Sequence, residues 1–251
     1  MDLIVQLCDR VYLLRNGAVL CEGIPATVVA YYYQSVGTRE GIAVLEDGAC
    51  DLIFNNGRLF CFWHKQPVTF DPGVYLSFAI QQVQWNSFQA EWVITERSVR
   101  HLCASGVIPS LGMSFVWNIS LRDNHTVHFD IILQLPHEAT VQECRLICMA
   151  DAAYTTWFSD MQYGSFDAVE VDAHIPVYAA PLKRENLFGV YPAALSSGVM
   201  LPGLLFNLRM EQHTVSFFRK SLKSTSRMLE MVMPCAADSG RIAFEGCFRL
   251  S

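Results

Sequence analysis

The sequence predicts a mainly β fold, a large antiparallel β-sandwich. Apolar and polar residues alternate in three segments, 88–94, 115–121 and 126–135. Strict alternation places one set of side chains on a buried face and the other toward solvent or a ligand. A hydrophobic content of 52% with 17% charged residues over 251 positions is enough for a large core. The apolar set comprises Phe88, Ala90, Trp92, Ile94, Phe115, Trp117, Ile119, Leu121, Val127, Phe129, Ile131, Leu133 and Leu135.

Turn signals separate the predicted strands. Residues 122–125 read Arg-Asp-Asn-His, and the pair Asp123 and Asn124 tolerates the left-handed backbone of a tight hairpin. The three alternating segments therefore predict an antiparallel meander with one apolar face. Further hairpins are predicted at Asn16-Gly17 and at Asn55-Asn56-Gly57.

Composition excludes several classes of function. The net charge is −6, and the few basic residues are scattered, so no nucleic acid is expected as a partner. No apolar run reaches the ~18 residues that a membrane span needs, and no secretory signal is visible, so we expect a cytoplasmic protein. The nine cysteines are odd in number and lie mostly in apolar runs. We expect free thiols, and we predict neither a metal site nor a cofactor.

The rest of the chain follows in order. Residues 1–35 are predicted to form a helix, a hairpin and a helix, and a polar linker precedes residue 42. From there the chain is strand after strand. Residues 151–180 are rich in aromatic and acidic side chains without regular periodicity, which favours a functional loop or lid. Closing strands are predicted at 198–210, 214–218, 228–233 and 241–250.

The N-terminal residues carry a specific pattern. They read LCDRVYLLRNGAVLCEGIPATVVAYYYQ, with Cys8-Asp9-Arg10, Asn16-Gly17, Glu22-Gly23 and Pro25 in characteristic positions. This resembles the end of the ATP-binding domain of ABC transporters, most closely the polysaccharide-export branch. The resemblance implies that residues 1–37 are a remnant of such a domain, with an unrelated appendage as the alternative. No phosphate-binding loop occurs in the sequence, so we expect no ATP hydrolysis.

A second pattern covers roughly residues 50–165. It includes Gly57-Arg58, Phe62-Trp63, Tyr75, Ser87 and Trp92. It is similar to galactose mutarotase-like β-sandwich domains of bacterial polysaccharide-biosynthesis proteins. The resemblance implies that residues 42–251 form one large sandwich, with a concave face suited to sugars.

Sugar binding requires a flat aromatic ring for the C–H face of a pyranose and planar polar groups for its hydroxyls. The segment from Trp85 to Glu91 offers both within one predicted strand. A single tryptophan in a sandwich is nevertheless more often a core residue, and we assign Trp92 and Trp117 to the core. The candidate binding residues are Trp85, Gln89, Glu91, Trp63, His64, Trp157 and Tyr163.

Three functions stay open at this point. We expect a non-catalytic glycan-binding protein, linked by the N-terminal resemblance to an ABC transporter or a polysaccharide-assembly protein. The alternative is an enzyme acting at the anomeric centre of a sugar, of epimerase, glycosidase or lyase type. His128 and Asp130 share a strand face and are its possible acid and base, although such neighbours usually form an ordinary solvent face. The third is a truncated gene product without activity.

Overall fold

The computed structural model describes most of the chain, and all structural statements below concern that part. The described residues are 8, 10–15, 18–23, 25, 28, 32, 41–136, 140–159, 162–166, 178–181, 187–192, 201–209, 215–220, 226–234 and 240–251. In chain order the strands are β1 Val11–Arg15, β2 Ala18–Gly23, β3 Ile42–Glu46, β4 Cys50–Asn55, β5 Leu59–Trp63, β6 Gln66–Pro67, β7 Thr69–Ile80, β8 Val83–Asn86, β9 Glu91–Arg97, β10 His101–Ile108, β11 Met113–Arg122, β12 Thr126–Gln134, β13 Glu143–Asp151, β14 Tyr154–Ser159, β15 Gln162–Ser165, β16 Tyr178–Pro181, β17 Leu187–Pro192, β18 Leu204–Arg209, β19 Val215–Lys220, β20 Ser226–Pro234 and β21 Arg241–Leu250.

Two large antiparallel sheets form the sandwich. The nine-stranded sheet has the order β15-β14-β17-β18-β21-β12-β11-β10-β9. The ten-stranded sheet runs β16-β19-β20-β13-β7-β5-β4-β3, with β6 and β8 paired to its side. The mainly β prediction is therefore confirmed. The described residues contain no helix capable of crossing a bilayer.

The predicted meander contains one more strand than expected. β9, β10, β11 and β12 are consecutive neighbours, so β10 lies between the first and second predicted strands. Its inward positions include Leu102, Ala104 and Gly106, and the two small residues among them weaken the apolar signal in the sequence. Gly106 is required there, because an added Cβ would lie 2.7 Å from the Trp92 ring.

The predicted strand from Phe88 to Ile94 is interrupted. Ser87–Gln89 forms a 3-10 helical turn between β8 and β9, which belong to different sheets. Ser87 is fully buried and fixes the turn, since its hydroxyl donates to the Gly57 carbonyl at 2.6 Å and accepts from the Leu76 N–H at 3.1 Å. Alternation predicts a continuous strand, but these buried hydrogen bonds favour a turn at which the chain passes from the ten-stranded sheet to the nine-stranded sheet.

Aromatic residues dominate the core between the sheets. Trp92 is 5% exposed and Trp117 is fully buried, which confirms the prediction for both. Their ring centroids are 5.8 Å apart in a T-shaped contact, and the Phe54 ring lies 5.2 Å from Trp92 and 5.7 Å from Trp117. Such edge-to-face contacts add to the stabilisation that burial alone provides.

A second, smaller core lies on the outer side of the ten-stranded sheet. Val11 and Leu13 of the β1–β2 hairpin pack there, together with Val28. The register pairs Arg15 with Ala18, and the predicted turn residues Asn16 and Gly17 lie outside the described residues. The two helices expected around the hairpin also lie almost wholly outside them. The sheet residues of this core are Ile42, Val44, Ile53, Phe60 and Phe62.

The prediction that residues 151–180 are irregular is wrong for residues 154–159, 162–165 and 178–180, which form strands. Tyr154–Ser159 and Gln162–Ser165 form β14 and β15 at the end of the nine-stranded sheet. A register shift between Tyr154 and Thr156 moves the alternation by one residue, which hides the period of two in the sequence. Residues 167–177 lie outside the described part of the chain.

Candidate functional site

The outer face of the nine-stranded sheet carries polar side chains along five adjacent strands. Because side chains alternate along a strand, every second residue of β10, β11, β12, β21 and β18 points away from the core. Cross-strand pairing then arranges these outward residues in rows. The first row is Cys103, Asn118, Asp130, Glu245 and Arg209, each the direct partner of the next.

A second row runs parallel to the first, two residues further along each strand. Direct partners in this row are His101, Ser120, His128, Cys247 and Asn207. Two residues along a strand correspond to about 6.8 Å, close to the width of one sugar ring. The two rows therefore place imidazoles, carboxamides, carboxylates, a hydroxyl and a guanidinium within reach of one small ligand.

Apart from Cys103, the residues of both rows line one cavity of about 550 Å³. This volume falls within the range of small-molecule sites. The cavity lining consists of His101, Asn118, Ser120, Arg122, His128, Phe129, Asp130, Asn207, Arg209, Glu245, Gly246 and Cys247. Phe129 is a core residue at 4% exposure, so the floor of the cavity is the sheet itself.

Asp130 is the most perturbed acid of this surface. Partial burial raises the pKa of its carboxyl group, and the facing Glu245 raises that pKa further, while Arg241 acts in the opposite direction. Cys247 belongs to the second row. Burial raises the pKa of its thiol, and the charge of Arg209 opposes this increase. A carboxyl group with a raised pKa accepts and releases a proton nearer to neutral pH than an exposed one.

Hydrogen bonds orient two further side chains. Nε2 of His101 lies 2.9 Å from the Oδ1 atom of Asn118, within hydrogen-bond distance. Nη1 of Arg209 lies 3.3 Å from Oε1 of Glu245 in an exposed ion pair. Among the described residues, no cluster of metal-ligating side chains occurs.

The turn at one end of the cavity is anchored to the other sheet. Asn124 and His125, in the turn between β11 and β12, both have positive φ angles of 58° and 55°. Nδ1 of His125 lies 2.8 Å from Oδ2 of Asp47, whose side chain is only 4% exposed. The other oxygen of Asp47 accepts the N–H groups of Ala49 and Cys50 at 3.3 and 2.8 Å. This interaction compensates for the strained turn.

None of the seven candidates chosen from the sequence lines this cavity. Trp85 is half-buried on β8, in the ten-stranded sheet. Gln89 is exposed, and its Oε1 accepts the Asn86 N–H at 2.7 Å, so it caps the 3-10 turn. Glu91 is exposed on the edge strand β9. The segment from Trp85 to Glu91 is thus divided between the two sheets.

The remaining four candidates lie at two other places. The Trp63 ring is 4.7 Å from the His125 ring and 5.0 Å from the exposed His64, near the anchored turn. Trp157 is 8% exposed and belongs to the core cluster, whereas Tyr163 is 82% exposed on the edge strand β15. The structure brings Trp63 and His64 together and leaves the others apart.

His128 and Asp130 were the two cavity residues that the alternation pattern indicated. Their direct partners lie on β11, which is close in sequence, and on β21, which lies more than a hundred residues further along the chain. The sequence carried only a weak signal for the other cavity residues, because it consists of polar side chains at alternate positions of otherwise apolar strands. These residues are Asn118 and Ser120, Asn207 and Arg209, and Glu245 and Cys247.

Comparison with known proteins shows the fold. No family model and no curated protein sequence matches this chain. The crystal structure of the GalM/aldose epimerase homologue from C. elegans matches with a TM-score of 0.50 at 6% identity, covering 85% of this chain and 99% of that chain. The 4-alpha-glucanotransferase from Thermococcus litoralis matches with a TM-score of 0.43 at 10% identity, covering 90% of this chain and 41% of that chain. The first likeness shows that this chain shares the β-sandwich fold of that aldose epimerase homologue.

Proposed function

We propose that this protein binds carbohydrate on the outer face of the nine-stranded sheet. The observation that carries the proposal is that two cross-strand rows of hydrogen-bonding side chains line one cavity. Asn118, Ser120 and Asn207 supply both donors and acceptors, as vicinal hydroxyl groups require. Sugar-related function also agrees with the fold, which the chain shares with an aldose epimerase homologue.

An aromatic surface lies beside the polar rows. Arg249, Leu205, Gly189 and Phe158 are successive cross-strand partners, so Phe158 lies on the same outer face. Its ring centroid is 6.2 Å from that of Tyr191, which is 39% exposed. These rings can contact the apolar C–H face of a sugar unit that extends beyond the cavity.

Calorimetric titration with the best ligand from a glycan array tests the proposal. Asn118→Ala and Asn207→Ala should each weaken binding by about 1–3 kcal/mol, because ligand hydroxyls lose their partners. Glu91→Ala, an exposed change on the edge strand, is the matched control and should bind like the parent. Unchanged affinity in both asparagine variants, with loss in Glu91→Ala, would move the site to the surface around Trp85.

A second candidate function is catalysis at an anomeric centre. The cavity holds two histidines and two carboxylates, which is the pair of group types that proton transfer to and from a sugar ring requires. The raised pKa of Asp130 suits a group that exchanges protons.

Polarimetry of freshly dissolved aldoses tests this candidate. Catalysed mutarotation that disappears in His128→Gln and Asp130→Asn would favour the enzyme, and a rate equal to the buffer blank would favour the binding protein.

The cellular setting is a separate part of the proposal. The N-terminal resemblance supports a link to polysaccharide export or assembly, with an ABC transporter or an assembly protein as the partner. Co-purification from cells that produce a surface polysaccharide, compared with a chain lacking residues 1–37, tests it. Recovery of the same partners by both chains would overturn the assigned role of this segment.

A further inference from the structure

We propose that the glycan bound on this face is acidic, with an anionic group held between Arg122 and Arg249. The inference rests on the proposed function and specifies its ligand class. Arg122 is the direct partner of Thr126, and Thr126 is the direct partner of Arg249. The two arginines thus flank one small side chain, about 10 Å apart at the backbone, which is two interstrand spacings. Both side chains are long enough for their guanidinium groups to meet above Thr126.

The two arginines have no ion-pair partner among the described residues. Other arginines are paired: Arg100 with Asp123 at 2.8 Å, and Arg209 with Glu245 at 3.3 Å. Arg122 and Arg249 are both exposed, so each guanidinium keeps its full set of donors for a ligand. Arginine forms bidentate, charge-assisted hydrogen bonds with carboxylate, sulfate and phosphate groups.

The charge of this surface is opposite to that of the whole chain. The protein carries a net charge of −6. Strands β10, β11, β12, β18 and β21 contain four arginines and two carboxylates, which leaves a formal charge of +2. A positive face on an acidic protein attracts anionic ligands. The four arginines are Arg122, Arg209, Arg241 and Arg249, and the carboxylates are Asp130 and Glu245.

The position of the arginines agrees with the cavity. Arg122 is part of its lining, and Arg249 lies two residues beyond the lining residue Cys247. Asp130 is four residues from Thr126 along β12, or about 13 Å, which exceeds the screening length of about 8 Å at physiological salt. The anionic group therefore lies away from Asp130 and Glu245, while the rest of the sugar can contact these two carboxylates.

The arginine end of the cavity is also the fixed end. Arg122 immediately precedes the turn that His125 anchors to Asp47 at 2.8 Å. A side chain at the base of an anchored turn loses less freedom when it binds, which favours affinity. This arrangement gives the site a cationic end that is held in place and a carboxylate-bearing end farther along the strands.

The test is an array that presents acidic oligosaccharides, each beside a neutral counterpart made by carboxyl reduction, with desulfation in addition for chondroitin sulfate. The probes are galacturonan, mannuronan, hyaluronan and chondroitin sulfate fragments. An acidic member should bind about tenfold or more tightly than its neutral counterpart, and rising salt should weaken that binding. Arg122→Gln and Arg249→Gln should lose the preference, and Arg122→Lys should retain part of it. Arg97→Gln, the same charge change at an exposed arginine of the edge strand β9 that does not line the cavity, is the control.

The outcomes separate the two proposals. Equal binding of acidic and neutral counterparts overturns the acidic ligand and leaves carbohydrate binding intact. An acidic preference that survives in Arg122→Gln and Arg249→Gln also overturns it, because the anion would then be held elsewhere. Binding to no member of an array that holds both classes overturns the proposed function itself. Thermal melts equal to those of the parent show that the exposed substitutions leave the fold unchanged.

Discussion

Asp130 of β12 and Glu245 of β21 are direct cross-strand partners on the polar face of the nine-stranded sheet. Like charges directly opposite one another destabilise a sheet. Partial burial raises the pKa of Asp130, and Glu245 adds to that increase against the effect of Arg241. The pair therefore lowers the stability of the fold, which is a common property of functional sites.

Asp130→Asn should stabilise the protein at neutral pH. Because the folded state holds the Asp130 proton more tightly than the unfolded state, ionisation of this group costs folding free energy above its folded pKa. The cost disappears as the pH falls toward the unfolded value of about 3.9. Urea melts of both proteins at several pH values should show a gain near neutrality that shrinks on acidification. A gain that is independent of pH would show that the charge is not its cause.

Trp92→Ala should destabilise the protein by about 3–5 kcal/mol, because a large buried aromatic leaves a cavity. Its Nε1 atom also donates to the Ser87 carbonyl at 2.8 Å. Trp92→Phe should therefore cost less than the alanine change, although it still loses this hydrogen bond. Glu91→Ala on the exposed side of the same strand is the control. Chemical denaturation measures all three, and a cost below about 1 kcal/mol for Trp92→Ala would contradict its place in the core.

Ser87→Ala should destabilise by about 1–3 kcal/mol, since the buried Gly57 carbonyl and the Leu76 N–H would lose their partner. The exposed Ser110 gives the matched control, with an expected change within about 0.5 kcal/mol. Equal unfolding midpoints for the two variants would mean that another group, such as water, satisfies the two backbone groups. Thermal and urea melts measured side by side decide this.

The thiols should differ strongly in their reactivity. Burial raises the pKa of Cys50, Cys61 and Cys148, and Asp47 and Asp51 add to the effect at Cys50. Native alkylation should modify the exposed Cys8 first and leave these three intact, because the thiolate is the reactive form. Mass spectrometry after denaturation without reductant should then find all nine cysteines modified. Early labelling of Cys61 would contradict its burial, and unmodified pairs after denaturation would show disulfides.

Local sequence patterns were sufficient where one strand and its nearest neighbour define the structure. The alternation around Phe115 and Val127 predicted β11 and β12 with their buried faces, because a period of two depends only on the chain itself. The turn at Asn56 and Gly57 has the positive φ values, 47° and 74°, that its residue types favour.

Local patterns failed where contacts distant in sequence decide the conformation. The break between Trp85 and Glu91 depends on the hydrogen bond from Ser87 to Gly57, thirty residues earlier in the chain. The alternating pattern was compatible with a continuous strand, and it could not indicate that a buried hydroxyl would direct the chain from one sheet to the other. The candidate site that was placed on this segment was divided for the same reason.

The sequence by itself determined the mainly β class, the core positions of Trp92 and Trp117, and the polar sides of β11 and β12. Only the tertiary structure decided which polar sides meet. Asp130 and Glu245, for example, come from β12 and β21, which are adjacent in the sheet but far apart in the chain. Alternation fixes the face on which a side chain lies, whereas its neighbours depend on strand order and register, which long-range packing sets. A binding surface that crosses five strands is therefore visible only after the sheet has formed.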